Sequence, residues 1–358
     1  MKKLVLSRYA LSSCAAAAIL AGCGESQPPI GARGAMPQVS AIAALTNSKN
    51  YKVLYSFGAS PDGNYPHSDL IGAGGTFYGT TFAGGANYCG SSTCGTVFST
   101  TTGGAEKVLH SFGSGSDGSG PTADLINVGG TLYSTTEEGG ASNAGTVFSI
   151  TTSGTEKVLY SFTGGTDGDR PQTGLTDVGG KLYGTTFGGG AHNEGTVFSI
   201  TTQGRERVLH SFRANGTDGE LPEAGLTDVR GTLYGTTIAG GGSVCANGYG
   251  CGTVFSITTD GTEKLLYSFG GGHDGASPGG LTNVKGTLYG TTAGGGTQNG
   301  GTIFSVTMGG VENVLHRFGE SADGFQPLAN MHYKGGSLVG TTYLGGAYGV
   351  GTIFSMRP

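Results

Sequence analysis

Two stretches of this sequence carry carboxylates and a histidine at a spacing that could support general acid–base catalysis. Glu137 and Glu138 are adjacent, and His192 and Glu194 lie two residues apart further along the chain. Paired carboxyl groups with a histidine can exchange protons near neutral pH, as polysaccharide hydrolases and lyases require. These four residues are the catalytic candidates. The alternative is that they are solvated charges on variable loops.

A second pattern could bind a metal. One position alternates between tyrosine and histidine along the chain, at Tyr55, His110, Tyr160, His210, Tyr267 and His316. Three imidazoles would share a metal only if this position lined a central pore. The strand order derived below places it on the outer rim, where the histidines lie far apart and pack as half-polar rings. We therefore predict no metal and no other cofactor.

A third pattern places Asp-Gly shortly before a proline, at Asp62, Asp117, Asp167, Asp218, Asp274 and Asp323. Six carboxylates could bind calcium or a sugar. An Asp side chain can equally accept hydrogen bonds from nearby backbone N–H groups, while glycine adopts positive φ and proline stiffens the exit. A residue that recurs in every unit usually serves the unit, so we expect turns.

All these positions belong to one repeat. Gly-Thr-(Val/Ile)-Phe-Ser occurs six times at intervals of 49 to 57 residues, starting at Gly95, Gly145, Gly195, Gly252, Gly301 and Gly351. A period of about 50 residues with strand-like content indicates a toroidal β array, whose units cannot bury their faces alone.

Each unit contains four strand signals. In the third unit they cover 174–178, 181–187, 196–201 and 207–212, separated by Gly-rich turns and one longer loop. Four short antiparallel strands form one propeller blade, and no mature segment shows sustained helical periodicity. The sequence predicts an all-β fold, a single six-bladed β-propeller with four-stranded blades over residues 51–358. The second-to-third strand loops and the blade connections should share one face.

The ends of the repeat predict how the ring closes. First-strand motifs begin near Leu70, Leu125, Leu175, Leu226, Leu281 and Leu328, but the last unit stops after its third strand. An unpartnered copy of the fourth strand, residues 51–57, precedes the first unit. We predict that it joins the last blade and removes the open sheet edge.

The repeat resembles the GloVer tandem-repeat family, bacterial surface proteins described by a "choice of anchor". The resemblance covers residues 51–358 and rests on recurring Leu-Tyr-Gly-Thr-Thr, Gly-Thr-Val-Phe-Ser-Ile and Lys-Val-Leu-Tyr-Ser-Phe segments. It implies export and anchoring, with no catalytic or ligand residues to transfer. Kelch repeats are a more distant likeness, since their tryptophan is missing from this chain, which has none.

The N-terminal sequence predicts that the protein is exported as a lipoprotein. Lys2 and Lys3 precede an apolar stretch ending in Leu-Ala-Gly-Cys, which resembles a lipobox, so 1–22 is the predicted signal peptide and Cys23 the lipidated residue. An ordinary cleaved signal with a coincidental cysteine is the alternative. Residues 23–50 contain prolines without periodicity and form the predicted flexible linker. We expect export and anchoring in the outer membrane or at the cell surface.

Charge and cysteines narrow the class further. Without Lys2, Lys3 and Arg8, the 19 basic residues fall to 16 against 24 acidic ones, a net charge of −8 that argues against nucleic acid. We expect a monomer.

Beyond Cys14 and Cys23, four cysteines remain as two local pairs, Cys89 with Cys94 and Cys245 with Cys251. Export favours disulfides over a four-cysteine zinc site, because the pairs belong to opposite blades.

Three functions are consistent with these features. The leading hypothesis is a surface-anchored binding or scaffold lipoprotein that presents its loop-rich face to a glycan or a protein partner. The second is a polysaccharide hydrolase or lyase using Glu137, Glu138, His192 and Glu194. The third is a purely structural envelope protein.

Overall fold

The computed structural model describes residues 52–58, 60–113, 116–243, 245, 248–319 and 323–358. Val53–Pro358 form one compact unit. The predicted signal peptide (1–22), the lipidation site Cys23 and the predicted linker (23–50) lie outside the described residues. Within the described part of the chain, no helix has the length and apolar character needed to cross a membrane.

The fold is a six-bladed, all-β propeller with four-stranded antiparallel blades, as predicted, except that the described part of blade six has three strands. The described residues also include one short 3-10 turn. Blade one comprises Gly63–Pro66, Ile71–Ala73, Thr76–Gly84, Tyr88–Cys89, Ser92–Thr93, Thr96–Thr101 and Glu106–Ser111; blade two Gly118–Ser119, Ile126–Val128, Thr131–Thr136, Glu138–Gly139, Thr146–Thr151 and Glu156–Ser161. Blade three comprises Thr176–Val178, Lys181–Thr186, Thr196–Thr201 and Glu206–Ser211; blade four Gly219–Glu220, Thr227–Val229, Thr232–Thr237, Ala239–Gly240, Thr253–Thr258 and Glu263–Ser268. Blade five comprises Ala276–Val284, Thr287–Gly294, the 3-10 turn Thr297–Asn299, Thr302–Thr307 and Glu312–Arg317; blade six His332–Lys334, Ser337–Thr342 and Thr352–Met356.

The core lies between successive blades. The phenylalanine after each fourth strand packs edge-on against the phenylalanine in the third strand of the next blade, as Phe162 does against Phe198 with 5.2 Å between ring centroids. Leu182 and Ile200 complete that cluster and are fully buried. Equivalent clusters join blades one to two, three to four, four to five and five to six. Both faces of a blade are therefore apolar, which explains why strict alternation is absent from the sequence.

The repeated Thr-Thr of the second strand satisfies polar groups inside the sheet. Thr186 Oγ1 lies 2.9 Å from Thr196 Oγ1, donates to the Gly188 carbonyl, and accepts from the Thr196 N–H. Both threonines are fully buried. The Thr186 and Thr196 hydroxyls therefore find partners within one blade, and an equivalent hydroxyl pair recurs in all six blades. The first threonine of Thr-Thr instead donates to the next blade connection in blades one to four, as Thr185 does to the Ala224 carbonyl.

The first strand of blade six has a different register from the predicted one. Met331 is buried and packs beneath Gly340, as Leu175 packs beneath Gly184 in blade three, whereas Leu328 is exposed. The prediction took Leu328 as the apolar residue that faces the core, but in this blade Met331 occupies that position.

The structure also departs from the predicted closure of the ring. Residues 52–58 have no regular secondary structure, and within the described chain no ladder joins them to Thr352–Met356. Ile353 in that strand is 80% exposed, although its equivalents in the other blades are buried. Phe57 instead packs edge-on against Phe98 of blade one, with 5.0 Å between centroids. This aromatic contact holds the segment in the place of a fourth strand against blade one, away from the sheet of blade six.

Blades one and six meet beside their first strands instead. His332 Nε2 lies 3.8 Å from Asp69 Oδ2, and the Asp69 N–H donates to Asp124 Oδ1 at 2.7 Å. The first contact is an exposed ion pair between blades six and one, and the second joins blade one to blade two. Within the described chain, the outer edge of blade six has no paired strand.

Candidate functional site on the loop face

The loops between second and third strands and the blade connections share one face of the propeller, as predicted; we call it the loop face. Short antiparallel pairings join the two kinds of segment in the blades, for example Gly118–Ser119 with Glu138–Gly139 and Gly219–Glu220 with Ala239–Gly240. In blade three a single bridge between Asp169 and Gly188 does the same. The loop face is therefore a hydrogen-bonded surface rather than a set of independent loops.

Each blade connection holds one residue at positive φ immediately before its proline. These pre-proline positions are Tyr65 (φ 56°), Gly120 (62°), Arg170 (54°), Leu221 (58°), Ser277 (54°) and Gln326 (56°). Their carbonyls accept hydrogen bonds from the residue that follows the second strand, as the Arg170 carbonyl does from the Phe187 N–H at 3.0 Å. This left-handed conformation favours glycine, yet five of the six positions carry side chains, each of a different type.

A second set of variable residues faces the pre-proline positions. These facing positions, the first residues after the Thr-Thr pairs, are Phe82, Glu137, Phe187, Ile238, Ala293 and Tyr343. The Arg170 guanidinium lies over the Phe187 ring at 4.8 Å from its centroid, and its Nε lies 3.4 Å from Asp169 Oδ2. Tyr65 is 69% and Tyr343 61% exposed. The two sets together present aromatic, aliphatic, cationic and amide groups on one surface.

Glu137 lies at the bend between Thr131–Thr136 and Glu138–Gly139, and the two adjacent glutamates differ in exposure. Glu137 is half-buried, and its Oε1 accepts a hydrogen bond from Gln172 Nε2 at 3.0 Å. Burial, then the charge of Glu138, raises the pKa of Glu137, while Arg170 and Gln172 oppose the shift. Glu138 is exposed and lines a cavity of about 740 Å³ between blades one and two.

His192 and Glu194 lie on the loop of blade three. His192 is exposed, whereas Glu194 is half-buried and burial raises the pKa of its carboxyl. Among the described residues, no hydrogen bond or ion pair joins any two of Glu137, Glu138, His192 and Glu194. The structure therefore distributes these candidates over separate places on the loop face.

One carboxyl beside this group was not predicted from the sequence. Glu220, in the next connection, is only 7% exposed, and burial, with the charges of Glu194 and Asp218, raises its pKa to about 7. Glu194 and Glu220 are thus neighbouring carboxyl groups, and burial raises the pKa of both. The Asp-Gly pattern predicted a turn at Asp218 but did not indicate a role for Glu220, which follows the glycine.

Both predicted disulfides are present, which overturns the zinc alternative for these cysteines. Cys89 is bonded to Cys94, and Cys245 to Cys251, with Cα–Cα distances of 5.4 and 5.2 Å. Each bond closes a loop on the loop face. Disulfides of this kind indicate an oxidising, extracytoplasmic compartment.

The rim holds a set of three-residue clusters that sequence analysis described only as packing rings. Each combines the tyrosine or histidine of one fourth strand, the aspartate of the connection that follows, and the first glutamate of the next fourth strand. In one of them the Tyr160 hydroxyl donates to Asp167 Oδ2 at 3.0 Å, and Glu206 lies against both. The aspartate also accepts the Thr163 N–H at 2.8 Å, so the predicted turn role is present as well.

Burial raises the pKa of all five glutamates in these clusters. Each has one buried carboxyl oxygen without a hydrogen-bond partner in the described structure, namely Oε1 of Glu106, Glu156, Glu206, Glu263 and Glu312. Burial, reinforced by Asp167, raises the pKa of Glu206 to about 7, and burial with Asp274 does the same for Glu312. The recurring glutamate is visible in the sequence, since it is the first residue of five fourth strands. The residues that surround each glutamate, however, belong to the preceding blade and the connection that follows it.

We expect the double substitution Glu206→Gln with Glu312→Gln to flatten the pH dependence of stability. The folded pKa of each carboxyl, about 7, lies above the unfolded value of 4.5, so its stabilising contribution is complete below pH 4.5 and is lost as pH rises through 7. The wild-type Tm should fall between pH 5 and 8, and the amides should reduce that fall. Exposed Glu138→Gln is the control; a double variant whose Tm profile parallels the wild type would contradict this account.

Comparison with solved structures finds matches at low sequence identity. A computationally designed protein, Ika8, is 16% identical, with 81% of this chain and 70% of that chain covered and a TM-score of 0.46. A luciferin-regenerating enzyme is 13% identical, with 85% and 92% covered and a TM-score of 0.45. The periplasmic gluconolactonase PpgL of Pseudomonas aeruginosa is 15% identical, with 75% and 80% covered and a TM-score of 0.45. With TM-scores below 0.5, these similarities carry no argument about activity.

No curated protein matches the chain at the sequence level. A family model does match, over residues 33–248 and 242–358, and its repeat spans every blade described above. This protein therefore belongs to the Gloeobacter/Verrucomicrobia repeat family.

Proposed function

We propose that this protein is a surface-anchored binding protein whose loop face recognises a glycan or a protein partner. Lipidation at Cys23 would attach it to the outer membrane or cell surface, and the stretch up to residue 50 would act as a tether. The disulfides, which belong to an oxidising compartment, support export.

The pre-proline positions carry the proposal. A left-handed conformation costs a residue with a Cβ about 1 kcal/mol or more relative to glycine. Gly120 shows that glycine is compatible with this turn, and the chain contains 74 glycines in all. Five blades nevertheless keep a side chain there, and no two are alike. Side chains retained at a cost to the fold indicate a role outside it.

The groups on the loop face define the ligand class. Exposed tyrosines such as Tyr65 and Tyr343 offer flat surfaces with a hydroxyl, and Arg170 offers a stacked cation. Tyrosine and arginine are the residues that dominate binding energy at protein interfaces, and aromatic rings also stack on sugars. The acidic net charge of the mature chain disfavours polyanions.

The test is a glycan array and a pull-down from envelope extracts with the full chain carrying Cys23→Ser. We expect Arg170→Gly to weaken binding at least tenfold, about 1.4 kcal/mol, with the Tm within a few degrees of wild type. Arg230→Gly is the matched control, since Arg230 has nearly the same backbone conformation (φ 56°) in the tight turn between the first and second strands. It should leave binding unchanged.

Equal losses in both arginine variants, or no ligand in either screen, would contradict the proposal. The hydrolase or lyase alternative keeps one specific observation, the neighbouring carboxyls Glu194 and Glu220. Turnover of a glycan in the same panel that disappears in Glu194→Gln would favour that enzyme. A purely structural protein would show neither binding nor turnover.

A further inference from the structure

Two of the rim clusters contain histidine and form nitrogen–oxygen ligand sets. His110 Nε2 lies 3.2 Å from Asp117 Oδ2, with Glu156 beside them, and the potential ligand atoms all lie within 4.8 Å of one another. The same arrangement recurs two blades further on, where His210 Nε2 lies 3.2 Å from Asp218 Oδ2 next to Glu263. All six side chains are half-buried.

We propose that each of these two clusters binds a zinc ion. One imidazole and two carboxylates form a ligand set that Zn²⁺ accepts, leaving a fourth position for water. Bond lengths of about 2.0–2.1 Å around a tetrahedral ion place neighbouring ligand atoms about 3.3 Å apart. The histidine–aspartate distance already has this value, so binding requires only that the glutamate moves inward.

The unpartnered glutamate oxygens are the second observation. Oε1 of Glu156 and of Glu263 is buried without a hydrogen-bond partner in the described structure. The equivalent oxygen is unpartnered in the tyrosine clusters as well, but there a phenol that donates to the aspartate, as Tyr160 does to Asp167, stands in place of the imidazole nitrogen. Glu156 and Glu263 thus combine an unpartnered buried oxygen with a neighbouring imidazole nitrogen, and a bound cation would supply the missing partner.

The repeat also contains a cluster that lacks one ligand. His316 Nε2 lies 2.8 Å from Asp323 Oδ2, but the glutamate would have to come from the fourth strand of blade six, which the described chain lacks. This pair should not retain zinc. The expected stoichiometry is therefore two ions per chain, not three.

The full chain with Cys23→Ser, incubated with zinc and dialysed, should retain two Zn²⁺ by elemental analysis. His110→Tyr and His210→Tyr should each leave one ion, and the double variant none. Tyrosine occupies the same position in the alternate blades, so these variants are expected to fold. Tyr160→His should add a third ion, because it recreates the ligand set around Asp167 and Glu206.

The exposed His192→Tyr is the control and should leave two ions. Since each site joins two successive blades, zinc should raise the Tm of the wild type but not of the double variant. Retention of no zinc by the wild type, or of the same amount by the double variant, would overturn the proposal. The buried glutamate carboxyls would then be stabilised by protonation alone. The sites lie on the rim, so this outcome is independent of binding by the loop face.

Discussion

Replacing Phe198 with alanine should lower the free energy of unfolding by about 3–5 kcal/mol. The side chain is fully buried and packs edge-on against Phe162 of the preceding blade. Its loss removes apolar contact on both sides of one inter-blade cluster and leaves a cavity that the surrounding strands cannot close. Urea denaturation followed by circular dichroism measures the change.

Phe354→Ala is the matched control, because Phe354 occupies the same position in blade six. Its ring centroid lies 5.3 Å from that of Phe318, but the side chain is only half-buried, since no described blade packs against the other side of its strand. We expect less than half the loss seen at Phe198. Equal losses would show that the aromatic position matters within a blade and that inter-blade burial does not set its energy.

The fold could be predicted because the repeat encodes it several times over. The Thr-Thr pair, the phenylalanine of Gly-Thr-Val-Phe-Ser and the Ser-Phe after the fourth strand each recur at fixed spacing, and each has one structural partner. A strand pattern that is ambiguous once becomes decisive when repeated six times. The cysteine pairs were equally clear, because each lies within a single loop.

Closure of the ring was not predictable from the same signals. Residues 51–57 copy the sequence of a fourth strand, and Phe57 makes the contact with blade one that such a strand makes. Sequence likeness to a fourth strand thus identified the neighbour that the segment packs on. It did not identify the hydrogen-bonding partner, because strand pairing depends on where the backbone of the last blade lies.

The candidate sites were hidden for two physical reasons. Arg170 and Leu221 precede prolines, and such residues are normally extended, so the sequence gives no sign of their positive φ. The rim clusters take their glutamates from the following blade, so that Glu156 meets His110 only after the blades have packed. Local sequence patterns predict the contacts within a blade, whereas both candidate sites form between a blade and its neighbour.

The glycine that opens Gly-Thr-Val-Phe-Ser takes part both in packing inside a blade and in packing between neighbouring blades. Gly195 has φ 91°, and a Cβ there would lie 2.5 Å from the Thr186 carbonyl oxygen and 2.6 Å from Cδ of Pro222 in the next connection. Gly195→Ala should therefore cost about 3–5 kcal/mol, combining backbone strain with overpacking against the proline that fixes the loop face.

Gly179→Ala separates the two effects. Gly179 also has positive φ, 64°, but a Cβ there would meet nothing within 4 Å, so its alanine variant should lose only about 1–2 kcal/mol of unfolding free energy. If the two variants lose the same amount in urea denaturation, backbone conformation alone explains the motif's glycine. If Gly195→Ala loses more, the glycine is required because the proline of the next blade connection packs against it. The motif would then position the loop face as well as the third strand.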